Sequence, residues 1–239
     1  MIYWLTVSRL ISNTICGGVN MVDLKYELIG ASKLSSHTDV PVVITLHGIG
    51  SNYLDLRPLI SIFDQQVIEL HLQGSVPYTN GYAYYIPEFH QCSEAEVIES
   101  AAQKIYEQTQ EILKSNHLED HPLAVIGFSQ GATLATVLMA FHPKWLQAAL
   151  VLSGKLPDFL SDWAKQHLKL QEVATAVFIS QGNKDSIVSL DMGRQLAKFF
   201  KTYTNSSVYH EYNVGHSVSR QMIQDAYEWE TKLNWSKKE

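Results

Sequence analysis

The chain has 239 residues, 46% of them hydrophobic and 18% charged, which excludes wholesale disorder and allows a large packed core. Eighteen Lys and Arg against 24 Asp and Glu give −6 at pH 7, a balance that argues against nucleic-acid binding. Two cysteines, Cys16 and Cys92, make no disulfide-rich scaffold and fit a reducing, cytoplasmic setting, and without a run of 18 apolar residues no stable membrane insertion is expected.

In residues 1–21 nothing basic precedes the apolar Met1–Val7, Arg9 interrupts the apolar stretch, and no small-residue cleavage site follows. The segment therefore reads as an extension rather than a signal peptide, with Met21 as an alternative start. Residues 22–239 read as one domain. Asp23–Ile29 alternates polar and apolar residues, as a half-exposed antiparallel strand would. Val42–Leu46 (VVITL) is β-branched and almost wholly apolar, the pattern of a strand buried on both faces. Val67–Leu72 is a weaker strand, and Gln73–Cys92, rich in Tyr and Pro, reads as a long loop.

Ser93–His117 is the clearest helix. Ser93 and Glu96 fit a capping box, Val97, Ala101, Ile105, Ile112 and Leu113 form an apolar stripe, and Pro122 blocks continuation beyond His121. Leu123–Phe128, Ala148–Leu152, Ala174–Ile179 and Val208–Asn213 are further strands. Ala132–Phe141, Leu190–Lys201 and Ser217–Leu233 are further helices. This alternation predicts an α/β fold, a mainly parallel sheet with helices on both faces. Residues 153–173 form an insertion carrying Leu156, Phe159, Leu160, Trp163, Leu168 and Leu170. These side chains either pack as core or face an acyl chain, a membrane surface or a second copy in a homodimer.

Gly127-Phe128-Ser129-Gln130-Gly131 is a G-x-S-x-G placed between a strand and a helix. A sharp turn there lifts the Ser129 hydroxyl above the C-terminal edge of the sheet and aims a helix N-terminus at it. Serine is a weak nucleophile and needs a base, which needs an orienting acid. Asp185 follows Ala174–Ile179, and His216 follows the last strand. Both fall on the same sheet edge as Ser129, in the order Ser, Asp, His. Asp158, Asp162 and Asp191 are less well placed, and His117 and His121 read as a solvated helix end rather than a metal site. Attack on a carbonyl also needs donors for the developing oxyanion. Removing one such donor costs roughly 2.7–4 kcal/mol in other enzymes. The backbone N–H of Gln130, next after the nucleophile, is one candidate. The N–H of Ile49, in the His47–Asn52 loop after VVITL, is the other.

LHGIGSN at Leu46–Asn52, GFSQG at Gly127–Gly131, QGNKDSIVS at Gln181–Ser189 and GHSVS at Gly215–Ser219 together resemble the α/β-hydrolase superfamily. Within it they are similar to the phospholipase/carboxylesterase group that includes acyl-protein thioesterases. The resemblance runs from about Val22 to near the C-terminus. It implies an α/β-hydrolase fold, a Ser129–Asp185–His216 triad with oxyanion donors on Ile49 and Gln130, and hydrolysis of small-molecule carboxylic esters or thioesters. It implies no metal and no organic cofactor. GYAYYIPE at Gly81–Glu88 is similar to the group's pocket-side segment, so Tyr82, Tyr84 and Tyr85, with Leu156 opposite, are expected to bind substrate. Two departures stand out: Gln181-Gly182 where the group commonly has His-Gly, and Tyr84 or Tyr85 in place of its tryptophan. A non-catalytic hydrolase-fold binding protein is the alternative; such proteins usually lack a triad member, and this chain keeps all three.

Overall fold

The computed structural model describes residues 23–88 and 92–235. Residues 1–22, which hold Cys16 and the whole of the expected extension, lie outside them. Chain order gives β1 (Lys25–Ile29), a single helical turn α1 (Ala31–Leu34), β2 (Val42–Leu46), a 3-10 segment over Arg57–Ile62, β3 (Ile68–Gln73), β4 (Val76–Tyr78) and β5 (Gly81–Ala83). It continues with α2 (Glu94–Ser115), β6 (Leu123–Phe128), α3 (Gln130–Phe141), β7 (Ala148–Leu152), α4 (Leu160–His167), β8 (Ala176–Gly182), α5 (Leu190–Tyr203), β9 (Ser207–Tyr212) and α6 (Arg220–Glu230).

Seven strands form one sheet in the order β1-β3-β2-β6-β7-β8-β9. Only β1 runs antiparallel to its neighbour; the other pairings are parallel. The strand sequences explain why. Along β2, Val42, Ile44 and Leu46 join a core with α2, α3, α4 and α5, while Val43 joins a second core with Leu59, Ala226 of α6 and Trp235. β6 divides the same way, with Leu123 and Val125 on one face and Ala124 and Ile126 on the other. Two buried faces require nearly continuous apolar strands, which is the pattern of parallel sheets covered by helices.

Several elements depart from expectation. The 73–92 stretch contains the β4–β5 hairpin, and the 153–173 insertion contains α4. Leu160 and Ala164 of α4 are buried, Trp163 packs on Phe141 at 4.4 Å, and Leu170 is the insertion's large exposed apolar side chain. Helix α2 keeps its Ser93–Glu96 capping box but stops at Ser115, well before Pro122. His117 adopts a left-handed conformation (φ 57°), and the N–H groups of His117 and Leu118 donate to Lys114 and Leu113 carbonyls, closing the helix end. His121 is not part of a solvated helix end. It is buried, with ring nitrogens 2.7 Å from the Val40 carbonyl and 3.2 Å from that of Ser35.

Among the described residues no cysteine is free. No helix of the described residues is long and apolar enough to cross a membrane.

Candidate active site

The end of β6 and the start of α3 build the nucleophile turn. Ser129 has φ 53° and ψ −114°, a conformation sparsely populated by residues with a side chain. Such strain costs about 1–3 kcal/mol and persists only where surroundings enforce it. Here Ser129 N–H donates to Leu152 O at 2.9 Å, and Thr133 N–H donates to Ser129 O at 3.0 Å. Helix α3 begins at Gln130, two residues earlier than its apolar pattern predicts, so its N-terminus lies directly at Ser129.

The loop after β2 runs alongside. A Cβ placed on Gly48 would lie 3.4 Å from the Ser129 Cβ. His47 is buried, and its Nε2 accepts from Gly74 N–H at 3.0 Å. The ring proton therefore sits on Nδ1, which donates to Gly48 O at 2.7 Å. Burial holds this imidazole below its usual pKa, consistent with a neutral structural histidine. The β4–β5 hairpin pins the loop from outside: Gly50 N–H donates to Tyr82 O and Tyr82 N–H to Ser51 O, both at 2.8 Å. Between these anchors, Ile49 N–H has no protein acceptor among the described residues, and neither does Gln130 N–H.

Asp185 and His216 meet on the other side. His216 Nδ1 lies 2.7 Å from Asp185 Oδ2. The opposite oxygen, Oδ1, accepts from Ile187 N–H at 2.8 Å and Val188 N–H at 2.9 Å. Burial pushes the Asp185 carboxyl up, but the His216 bond and the two backbone donors outweigh it and hold the carboxyl below its usual range. The His216 ring rests 4.8 Å from the ring of Phe128, the residue before Ser129. No side-chain hydrogen bond joins Ser129 to His216 among the described residues; unliganded catalytic contacts are often long. Asp162 is exposed and bonded to Lys165, and Asp191 is exposed on α5.

The expected substrate residues separate. Tyr84 and Tyr85 are buried rather than lining an open pocket. The Tyr84 hydroxyl donates to Leu72 O at 2.9 Å and accepts from His47 N–H at 3.2 Å, a structural strut between β3 and the Ile49 loop. Tyr82 remains exposed on the hairpin. Leu156 lies beside Phe199 and Tyr203 in a groove of about 390 Å³ between the insertion and α5.

Two features were not visible in the sequence reading. The Gln130 side chain accepts from Tyr84 N–H and donates to Tyr85 O, both at 2.8 Å, tying α3 to the segment after β5. A cleft of about 290 Å³ opens beside His216, walled by Leu56, Pro58, Leu59, Phe128 and Val218, with Asp55 and Ser217 also lining it. Ser217 and Val218 are available to it because α6 starts only at Arg220, capped by the Ser219 hydroxyl. Among the described residues no cluster of three His, Cys, Asp or Glu side chains is placed to hold a metal ion.

Comparison with known proteins places the fold. A crystallised carboxylesterase from Bacillus cereus superposes with a TM-score of 0.75, covering 87% of this chain and 94% of that one at 23% identity. A carboxylesterase from Mesorhizobium loti superposes with a TM-score of 0.73, covering 88% and 95% at 20% identity. The fold is the α/β-hydrolase fold. A rice (Oryza sativa subsp. japonica) protein named as a probable inactive carboxylesterase is 31% identical over 110 residues, 46% of this chain and less than half (44%) of the rice protein. The sequence model described as Phospholipase/Carboxylesterase matches residues 31–234, a span holding the nucleophile turn, the Asp185–His216 pair and the Ile49 loop, and the chain belongs to that family.

Proposed function

We propose that this chain is a serine hydrolase that cleaves small or medium carboxylic esters through an acyl-serine intermediate. The observation that carries the reading is the 2.7 Å Asp185–His216 pair on the sheet edge where Ser129 occupies its strained turn. His216 Nε2 takes the Ser129 proton as Oγ attacks the ester carbonyl. The oxyanion is received by the N–H groups of Ile49 and Gln130. Asp185 keeps the Nδ1–H tautomer and stabilises the imidazolium. The imidazolium then gives its proton to the leaving alcohol as the C–O bond breaks. Water, deprotonated by His216, attacks the acyl-serine and releases acid and free Ser129. No step calls on a metal or organic cofactor.

A fluorophosphonate probe tests this directly. It should label the wild type and not Ser129→Ala, and the variant should lose about 10⁶ in kcat on p-nitrophenyl acetate if the three residues act as a unit. The second reading is a non-catalytic binding protein, favoured by the name of the rice relative. An unlabelled wild type would select it.

A further inference from the structure

We propose that Gln181 is a positioning residue for the reaction, holding the Asp185 carboxylate against His216; this rests on the serine-hydrolase reading. Gln181 lies near the end of β8 and is fully buried. Its Nε2 donates to Asp185 Oδ2 at 3.1 Å and to Val188 O at 2.7 Å. Both amide hydrogens are thereby used on oxygen acceptors. The reversed amide would set oxygen against two oxygens, so the orientation is fixed by its partners. Asp185 Oδ2 is also the oxygen that meets His216, so Gln181 and His216 share one acceptor. Every rotation of the carboxylate away from the imidazole then breaks the Gln181 bond as well as the bonds to Ile187 and Val188.

Two further observations show that the fold accommodates this amide at a cost. Gln181 Oε1 is buried without a hydrogen-bond partner, an expensive state for a polar atom that a hydrophobic residue here would avoid. Gly193 occupies the first turn of α5, where a Cβ would lie 2.6 Å from Gln181 Cγ and 2.8 Å from its Cβ. Glycine is a poor helix residue, and its place here makes room for the glutamine.

The chemistry follows from position. The Gln181 amide, itself anchored on Val188 O, keeps Asp185 Oδ2 against the His216 ring. Without that donor the carboxylate is free to turn, and turning lowers the turnover rate.

The experiment measures kcat and KM on p-nitrophenyl acetate for the full chain, Gln181→Met and Gly193→Ala. Both variants should lower kcat roughly 10- to 100-fold, the loss expected for one charge-assisted hydrogen bond. KM should stay unchanged. Wild-type kcat in either folded variant, or a loss that falls on KM instead of kcat, overturns the proposal. If Gln181→Met fails to fold by circular dichroism, Gly193→Ala decides, since its Cβ displaces the amide without removing it and favours the helix. Activity surviving Ser129→Ala defeats the serine reading itself. Activity lost there but unaltered in Gln181→Met defeats this inference alone.

Discussion

A methyl group on Gly131 would lie 1.9 Å from the carbonyl oxygen of Leu46. Helix α3 can therefore cross β2 at this height only with glycine at the last position of the G-x-S-x-G turn. The obstacle is backbone on a strand buried on both faces, so it cannot swing aside as a side chain would. Gly131→Ala should destabilise the fold by about 3 kcal/mol, at the upper end of overpacking penalties. Urea denaturation measures this, and a wild-type midpoint would show that α3 moves away from β2 freely.

Tyr84 separates two roles that an aromatic beside an active site can have. Its hydroxyl serves the buried Leu72 carbonyl and His47 N–H, and its ring is almost wholly covered. Tyr84→Phe leaves both backbone groups short of a partner, at about 1–3 kcal/mol. For a chain of this size that lowers Tm by roughly 2–4 °C per kcal/mol. KM for a small ester should stay within about twofold, because no uniform substrate contact is removed. A large rise in KM with unchanged Tm would return Tyr84 to the substrate pocket.

The central strands were legible because burial on both faces leaves little freedom of composition. VVITL, LAVIGF and AALVL could be delimited from residue type alone, and the structure has strands at those positions. The β4–β5 hairpin was not legible. Its strands are three residues each, one contains Pro77, and it is held partly by bonds to the Ile49 loop some 30 residues away. The same division runs through the site. Ser129, Asp185 and His216 could be nominated because this fold sets the order Ser, Asp, His along the chain and puts each at the end of a strand on one sheet edge. The side-chain roles of Gln130, Gln181 and Tyr84 depend on which buried donors and acceptors the finished fold leaves over, and no local pattern encodes that.

The Asp185 carboxyl is held below its usual pKa in the folded chain, which ties stability to pH with a definite sign. An acid with a depressed folded pKa stabilises the native state above its unfolded value, about 3.9 for aspartate, and that contribution is lost as the pH falls through the folded value. Asp185→Asn removes the ionisable group. The urea midpoint of the wild type should exceed that of Asp185→Asn at pH 7, and the gap should narrow below about pH 4. At neutral pH the same variant should lose about 10⁴ in kcat, because an amide cannot enforce the Nδ1–H tautomer of His216. A gap in stability that stays constant down to pH 3 would contradict the depressed carboxyl.

The cleft beside His216 has a side that mechanism can assign. In the proposed mechanism His216 delivers its proton to the leaving oxygen, so the group carried by that oxygen lies next to the imidazole, where Leu56, Leu59 and Val218 form the wall. Lengthening the alcohol should therefore raise kcat/KM by about fourfold per methylene, from about 0.8 kcal/mol for each one buried, until the cleft is full. Val218→Trp should cancel that gain for propyl acetate while leaving methyl butyrate nearly unaffected. The two esters carry the same atoms with the chain on opposite sides of the carbonyl, so the comparison isolates position from hydrophobicity. If methyl butyrate suffers instead, the cleft receives the acyl chain, and the leaving group must depart toward the Tyr82 side of the site.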